Sequence, residues 1–124
     1  MSSADKIMEV LEELKKKDTS IQAVMVAKAG LEGLIMFPET FKEEAAIVWD
    51  PLSKNLDDML IQVKKYGELG LERSYSELLG YGMCFKTLKA SDTALVVIAK
   101  GKGLENIRQT MEYMDESSEK MVPD

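Results

Sequence analysis

The longest amphipathic segment of the chain runs from Phe41 to Gly67, and it limits the folds that the sequence can adopt. Such a pattern predicts a helix with one side on a hydrophobic core. Ile47 and Ile61 point away from that side, onto an otherwise charged face, which indicates that the helix is covered on two sides. At about 100° per residue, the core-facing stripe consists of Ala45, Val48, Trp49, Leu52, Leu56, Met59, Leu60, Val63 and Tyr66.

Pro51 lies in the middle of this segment and leaves two interpretations open. A proline lacks the N–H that would bind the carbonyl of Ile47, and it costs about 3 kcal/mol inside a helix. The helix either begins at Asp50, with Pro51 as its first residue, or runs from about Lys42 and bends at Pro51. We favour the bent helix because the apolar stripe keeps its phase across the proline.

Short apolar segments on both sides of the helix predict the strands of a sheet. The first is apolar on both faces and the last is rich in β-branched residues, so both should lie inside the sheet. The third is polar, as is typical of an edge strand. In chain order, the predicted strands are Ile21–Lys28, Leu31–Phe37, Leu71–Leu79, Met83–Leu88 and Thr93–Ala99.

Apolar residues at helical spacing predict a further helix at each end of the chain, one over Ala4–Leu14 and one from Leu104. The methionines on these stripes, Met8, Met111 and Met114, either fill the core or form an adaptable surface for a partner. We expect residues 1–124 to form one domain. Residues 115–124 are acidic and polar, which predicts a frayed tail.

The net charge of -6 argues against nucleic acid and against an anionic membrane surface as partners. No apolar run approaches the roughly 18 residues of a membrane span, so we expect no membrane insertion. The single cysteine, Cys84, cannot form an internal disulfide. These features favour a cytoplasmic protein.

The sequence offers no catalytic arrangement. It contains no histidine, which removes the commonest general base near neutral pH. Cys84 lies inside an apolar strand and is expected to be a buried, inert thiol. Gly101-Lys102-Gly103 follows a strand and precedes a helix, but it lacks the ending of a phosphate-binding loop and is more simply a plain turn. We therefore predict no catalytic residue, no metal site and no cofactor.

What the chain does present is contact surface, made of the outer face of the long helix and the polar edge strand. An edge strand gains backbone hydrogen bonds when another chain pairs with it. The candidate interface residues on the helix are Ile47, Lys54, Leu56, Asp58, Ile61 and Lys65. Those on the strand are Arg73, Ser74, Tyr75 and Ser76.

From about Ile7 to Met114, the chain resembles the Roadblock/dynein light chain family. The resemblance is carried by a strand, small-Gly turn and second strand over Val24–Leu34, and by a long alanine-led helix that ends at Gly67–Gly70. A glycine-aromatic turn, Gly80-Tyr81, leads to the last strands, as in the family. Pro51 within the long helix departs from the family pattern, and so does Ala29, where an acidic turn residue is usual.

The resemblance implies an α+β fold of the order helix-β-β-helix-β-β-β-helix. A five-stranded antiparallel sheet is sandwiched between the long helix and the two terminal helices. It also implies a homodimer, or a heterodimer with a paralogue, in which third strands and long helices pair. Members regulate or scaffold Ras-like small GTPases, at most as activators without catalytic residues of their own. The alternatives are a dynein-type adaptor light chain, or a sensor that binds a small ligand between sheet and helix.

Overall fold

The computed structural model describes residues 3–88, 93–100 and 104–121. The helices within these ranges are α1 (Ser3–Lys15), α2 (Phe41–Glu44), α3 (Ala46–Tyr66) and α4 (Leu104–Met121). The strands are β1 (Ile21–Lys28), β2 (Glu32–Phe37), β3 (Arg73–Leu78), β4 (Tyr81–Thr87) and β5 (Thr93–Lys100). Each predicted strand is present, with ends that differ by at most two residues. No helix in the described ranges is long and apolar enough to cross a bilayer.

The five strands form one antiparallel sheet in the order β2-β1-β5-β4-β3. The β-branched strand β5 lies in the middle, and β1 lies beside it and is buried on both faces, as predicted. The polar strand β3 lies at one edge. Composition placed these strands correctly because a strand covered on both faces has no position at which a polar side chain reaches water.

The sheet carries one hydrophobic core on each face, and α3 covers one of them. That core joins the inner stripe of α3 to alternate residues of the strands, among them Met25, Phe85 and Val96. The other core lies under the terminal helices and joins Leu11 and Met114 to the opposite residues of the same strands. The fold implied by the resemblance, a sheet between the long helix and the terminal helices, is therefore confirmed.

The long amphipathic segment is interrupted, but not at Pro51. The break lies at Ala45, whose backbone (φ -102°, ψ 23°) separates α2 from α3. α3 continues through Pro51, its sixth residue, so the interpretation in which the helix begins at Asp50 is wrong. The favoured interpretation placed the irregularity of the long helix at Pro51, whereas the division of the segment lies six residues earlier, at Ala45. Pro51 and Ile47 are both exposed, so water can bind the carbonyl that lacks its N–H donor.

The last helix is longer than its sequence pattern indicated. We predicted fraying from Asp115, whereas α4 continues to Met121, and residues 122–124 lie outside the described ranges. Ser117 and Ser118 are buried, and the hydroxyl of Ser118 donates to the carbonyl of Asp115 at 2.9 Å. Small hydroxyl side chains that bond to their own helix can be buried without an unpaired polar atom, which a polarity pattern does not show.

The two-residue connection between β3 and β4 contains a leucine in a strained conformation. Leu79 and Gly80 have φ values of +54° and +83°, the pair of positive values that a type I′ turn requires. Asn and Gly adopt this conformation readily, whereas a leucine side chain collides with its own backbone. Leu79 is nevertheless 54% exposed, so it gains little from burial in return.

Leu79→Asn should therefore raise the free energy of unfolding by about 1 kcal/mol, as measured by urea unfolding. Leu69→Asn is the matched control, because Leu69 is also an exposed leucine but is not among the residues with positive φ. An equal effect of the two substitutions would show that loss of exposed apolar surface, and not relief of backbone strain, is responsible.

Candidate interaction surface

The outer face of α3 carries apolar side chains in water. Ile47 is 98% exposed and Ile61 is 38% exposed, as their position opposite the core stripe predicted. Lys54 lies between them and forms an exposed ion pair with Asp50 at 3.2 Å. Exposed pairs one turn apart on a helix contribute little to stability, so these charges are available to a partner. Asp58 and Lys65 are exposed on the same helix.

Two polar contacts hold α3 at a fixed position over the sheet. The backbone N–H of Gly30, in the turn between β1 and β2, donates to Oδ1 of Asp57 at 2.6 Å. The hydroxyl of Ser76, on β3, donates to Oδ1 of Asn55 at 2.9 Å. The first contact joins α3 to the hairpin at one edge of the sheet, and the second joins it to the strand at the other edge. The outer face of α3 therefore has a defined orientation relative to β3.

Leu56 does not belong to the candidate surface, although we had included it. Its side chain is fully buried in the core between α3 and the sheet. A residue on the inner stripe of the helix cannot also reach a partner on the outer face, since the two directions differ by roughly half a turn. The structure therefore corrects this assignment, and the helical part of the surface consists of the exposed residues Ile47, Lys54, Asp58, Ile61 and Lys65.

β3 is paired with β4 on one side, and within the described residues no strand lies on its other side. Its side chains alternate between the two faces of the sheet. Tyr75 packs with the core under the terminal helices, and Leu78 packs with the core under α3. Arg73, Tyr75 and Glu77 thus share one face, and Ser74 and Ser76 share the other. All four strand residues that we predicted for the surface lie on this edge strand.

A cluster of charges joins the start of β3 to α4. The guanidinium of Arg73 donates two hydrogen bonds to Asp115, at 2.8 and 2.9 Å, and one to Glu72 at 3.1 Å. The hydrogen bonds from Arg73 to Asp115 raise the pKa of Arg73 above its ordinary value. Lys86, on β4, lies 3.6 Å from the same carboxylate. Asp115 therefore holds α4 against the edge of the sheet.

Tyr75 lies at the centre of β3, where its ring is partly buried beside Cys84 of β4. Its hydroxyl donates to Oε1 of Glu77 at 2.7 Å. Burial raises the pKa of the Tyr75 phenol well above its ordinary value. The hydrogen bond to Glu77 and the negative charge of the Glu77 carboxylate raise this pKa further. The phenol is thus held in its protonated form as a hydrogen-bond donor.

Tyr75→Phe should make the protein lose less stability in alkaline solution. Below a pH of about 10 the phenol is protonated in both the folded and the unfolded chain and adds no pH dependence. Above that pH the unfolded chain releases the proton while the raised pKa retains it in the folded chain, so the free energy of unfolding falls. Urea unfolding of both proteins from pH 8 to pH 11 tests this expectation, and parallel curves would contradict it.

Among the residues that the structure describes, the interior shows no group of metal-ligating or nucleophilic side chains. Cys84 is buried, and within residues 3–88, 93–100 and 104–121 no three acidic or sulfur ligands come together as a metal would require. Two open clefts lie at the borders of the sheet, with volumes of about 340 and 370 Å³. One contains Met8 and residues of β2, and the other contains the Gly67–Gly70 segment and Lys86. Gly101-Lys102-Gly103 lies outside the described residues.

Sequence reasoning missed three residues that belong to this region. Asp115 was assigned to a frayed tail, so its contact with Arg73 was not foreseen. Glu77 follows Tyr75 by two positions, so strand alternation places both on one face, but it does not predict the hydrogen bond between their side chains. The positive φ of Leu79 could have been predicted from the Leu-Gly pair in a two-residue hairpin connection, where Asn-Gly is the usual pair.

The sequence matches no family model and no curated protein, but the fold has solved relatives. MglB of Myxococcus xanthus superimposes with a TM-score of 0.65 at 16% identity, over 100% of this chain and 96% of that one. MglC from the same organism gives 0.70 at 15% identity, over 94% and 96%. A Roadblock/LC7 domain from Streptomyces avermitilis gives 0.56 at 12% identity, over 90% of each chain. At this level of identity the likeness establishes a shared fold.

Proposed function

We propose that this chain, which has the Roadblock fold, is a non-catalytic scaffold or regulator in the cytoplasm that acts as a dimer and binds a Ras-like small GTPase. The observation that carries the proposal is that the described residues present two exposed features, the apolar and charged outer face of α3 and the outer edge of β3. The similarity of the whole fold to those of MglB and MglC supports a regulator or scaffold of this kind.

The dimer part of the proposal rests on two features that a monomer does not explain. β3 offers a row of backbone donors and acceptors along its free edge, and such edges invite pairing. The hydrogen bond between Ser76 and Asn55 joins α3 to β3, and Ile47 and Ile61 are exposed on the face of α3 that points away from the sheet. A partner that pairs with β3 would extend the sheet at this edge, next to the layer formed by α3.

The regulatory part requires an effect on the GTPase without a catalytic side chain from this protein. GTPase activators can supply an arginine in trans to stabilise the charge of the transition state. This sequence contains two arginines. Arg73 is engaged by Asp115, and Arg108 is exposed in the second turn of α4 rather than on a mobile loop. Any stimulation of hydrolysis would act by ordering the loops of the GTPase itself.

The test is to purify the protein with its partners from its native cells and to identify any Ras-like GTPase. The binding of that GTPase, loaded with GDP or with a GTP analogue, is then measured with the wild type and with Ile47→Asp. Gln109→Asp on α4 is the matched control, since it adds the same charge to an exposed helical site on the opposite layer. We expect binding to weaken with Ile47→Asp alone.

Equal binding by the two variants would place the GTPase elsewhere on the molecule. Failure of every recovered GTPase to bind the purified protein directly would refute the GTPase part of the proposal. The ligand-sensor alternative receives no specific support, because the space between α3 and the sheet is filled by buried side chains such as Leu52, Leu56 and Phe85.

A further inference from the structure

We propose that the outer edge of β2 is a docking site for an extended, basic segment of another protein, which adds to the sheet as a further strand. β2 lies at the opposite end of the sheet from β3, and β1 is its single neighbour among the described strands. The proposal therefore concerns a second surface. It does not depend on the proposed dimer or on the binding of a GTPase.

The composition of β2 is unusual for an edge strand. Its residues Leu34, Ile35, Met36 and Phe37 are all apolar, and only Met36 is buried while the other three are half-buried. Edge strands are normally protected by charged side chains, because their free backbone groups invite pairing. β3, at the other edge, is polar in this way. An apolar edge that remains accessible is the kind of surface that an added strand covers.

An open groove of about 340 Å³ runs along this edge. Leu34 and Met36 pack with the core under α3, whereas Ile35 packs with the core under the terminal helices. The groove contacts all three side chains, which project to opposite faces of the sheet, so it lies around the outer edge of β2 rather than over one face. Its walls come from α1 on one face and from the start of α2 on the other, through Met8, Glu39 and Lys42.

The backbone of β2 offers a row of hydrogen bonds that an extended chain can use. The N–H and C=O of one strand residue point to the same side, and those of the next residue point to the opposite side. β1 occupies one side of β2, with Cα partners from Val24–Phe37 to Val26–Ile35. Alternate residues of β2 therefore direct their N–H and C=O groups into the groove. A helix uses its own backbone groups internally, so the geometry favours a strand as the occupant.

The charges beside the groove favour a basic occupant. On α1, Asp5 and Glu12 flank the methionine of the groove wall on the same side of the helix. On the other wall Glu39 is exposed, while Nζ of Lys42 lies 5.6 Å from the centroid of the Trp49 ring, which attracts that cation. A lysine or arginine at either end of an added strand would therefore meet carboxylates on both walls.

The same charges argue against a second copy of this chain at this edge. Antiparallel pairing of two β2 strands would bring Glu39 and the acidic side of α1 in each copy toward those of the other copy. Like charges on neighbouring strands are destabilising, and each chain carries a net charge of -6. The favoured occupant is thus a segment of different sequence, with an apolar, extended centre flanked by lysine or arginine.

The probe for the test is a synthetic peptide with blocked ends, Lys-Lys-Val-Thr-Val-Thr-Lys-Lys, added to the whole protein. We expect it to slow the hydrogen exchange of alternate backbone amides within Leu34–Phe37, as measured by NMR, because these amides face water in the free protein and are bonded in the complex. The amides of β3 should not change. The same peptide with glutamate in place of every lysine should bind at least about tenfold more weakly.

Glu12→Lys and Glu39→Lys test the charges without altering the backbone of β2. Each substitution should raise the dissociation constant of the lysine peptide by about threefold, and the two together by about tenfold. Glu68→Lys is the matched control, because Glu68 is an exposed carboxylate in the cleft beside Lys86 of β4, away from β2. This control should bind the peptide as the wild type does.

A third peptide, Lys-Lys-Pro-Thr-Pro-Thr-Lys-Lys, keeps the charge but cannot pair along its length as a strand. Equal binding of this peptide would show attraction between charges alone and would overturn the proposal. Absence of binding by the first peptide, protection of β3 instead of β2, or equal effects of the three lysine substitutions would do the same. Slowed exchange in β2 that increases with protein concentration, without peptide, would identify a second copy as the occupant and refute a foreign segment. The proposed GTPase binding is measured separately and is unaffected by each of these results.

Discussion

Leu56→Asp should prevent folding, whereas Ile61→Asp should leave the fold intact and weaken only association. Leu56 has no exposed surface and lies in the core between α3 and the sheet. An aspartate there loses the apolar contacts of the leucine and buries a carboxylate with no partner, which lowers the free energy of unfolding by more than about 4 kcal/mol. Ile61 is partly exposed on the outer face, where the new charge reaches water.

Far-UV circular dichroism and urea unfolding of the two variants distinguish these effects. We expect Leu56→Asp to lack a cooperative transition, and Ile61→Asp to unfold within about 1 kcal/mol of the wild type at the level of the monomer. Sedimentation should then show weaker dimerisation for Ile61→Asp. A folded Leu56→Asp with impaired association would return Leu56 to the interface and contradict its burial.

Phe41→Ala is expected to have the second largest effect, a loss of about 3 to 5 kcal/mol. The Phe41 ring is buried and meets the rings of Trp49 and Tyr81 edge to face, at centroid distances of 6.1 and 6.2 Å. These contacts join the short helix α2 to α3 and to β4. Removing the ring leaves a cavity at the point where three elements meet, and edge-to-face pairs add to the loss beyond the buried area.

The single tryptophan reports this change directly. Trp49 fluorescence should shift to longer wavelength in folded Phe41→Ala, because its ring loses an apolar neighbour, and urea unfolding followed at the same wavelength measures the lost stability. Tyr66→Ala is the control, since Tyr66 is an exposed aromatic residue at the far end of α3. A loss below about 1 kcal/mol for Phe41→Ala would show that the neighbouring rings refill the site.

The interior positions of β1 and β5, the edge position of β3 and the orientation of the long helix were accessible from the sequence because all of them depend on burial. TALVVIA, the apolar part of β5, can be placed only where both faces are covered. The exposed position of Ile47 follows from its angle on the helix relative to the core stripe. Such patterns can be recognised in the sequence because side chains return to the same face of a strand or helix at a fixed spacing.

The errors have a different origin, since each depends on a contact between residues distant in the chain. The division of the long helix at Ala45 coincides with the packing of Phe41 against Trp49 and Tyr81, and no local signal marks it. Asp115 looked like part of a polar tail, but it lies on α4, where Arg73 and Lys86 converge on its carboxylate. Propensity and polarity report on neighbours in sequence and cannot register such contacts.

The sequence by itself determined the order of helices and strands, the edge position of the polar strand and the outward position of Ile47 and Ile61 on the long helix, because all three are consequences of periodic burial. Only the tertiary structure decided that Leu56, a residue of the predicted core stripe, has no part in the outer surface, and that Asn55 of α3 bonds to Ser76 of β3. It also showed that Arg73 bonds to Asp115 of α4 and that the hydroxyl of Tyr75 donates to Glu77. Those contacts depend on how the helices pack against the sheet. That packing is set by side chains across the whole core rather than by any local stretch of chain.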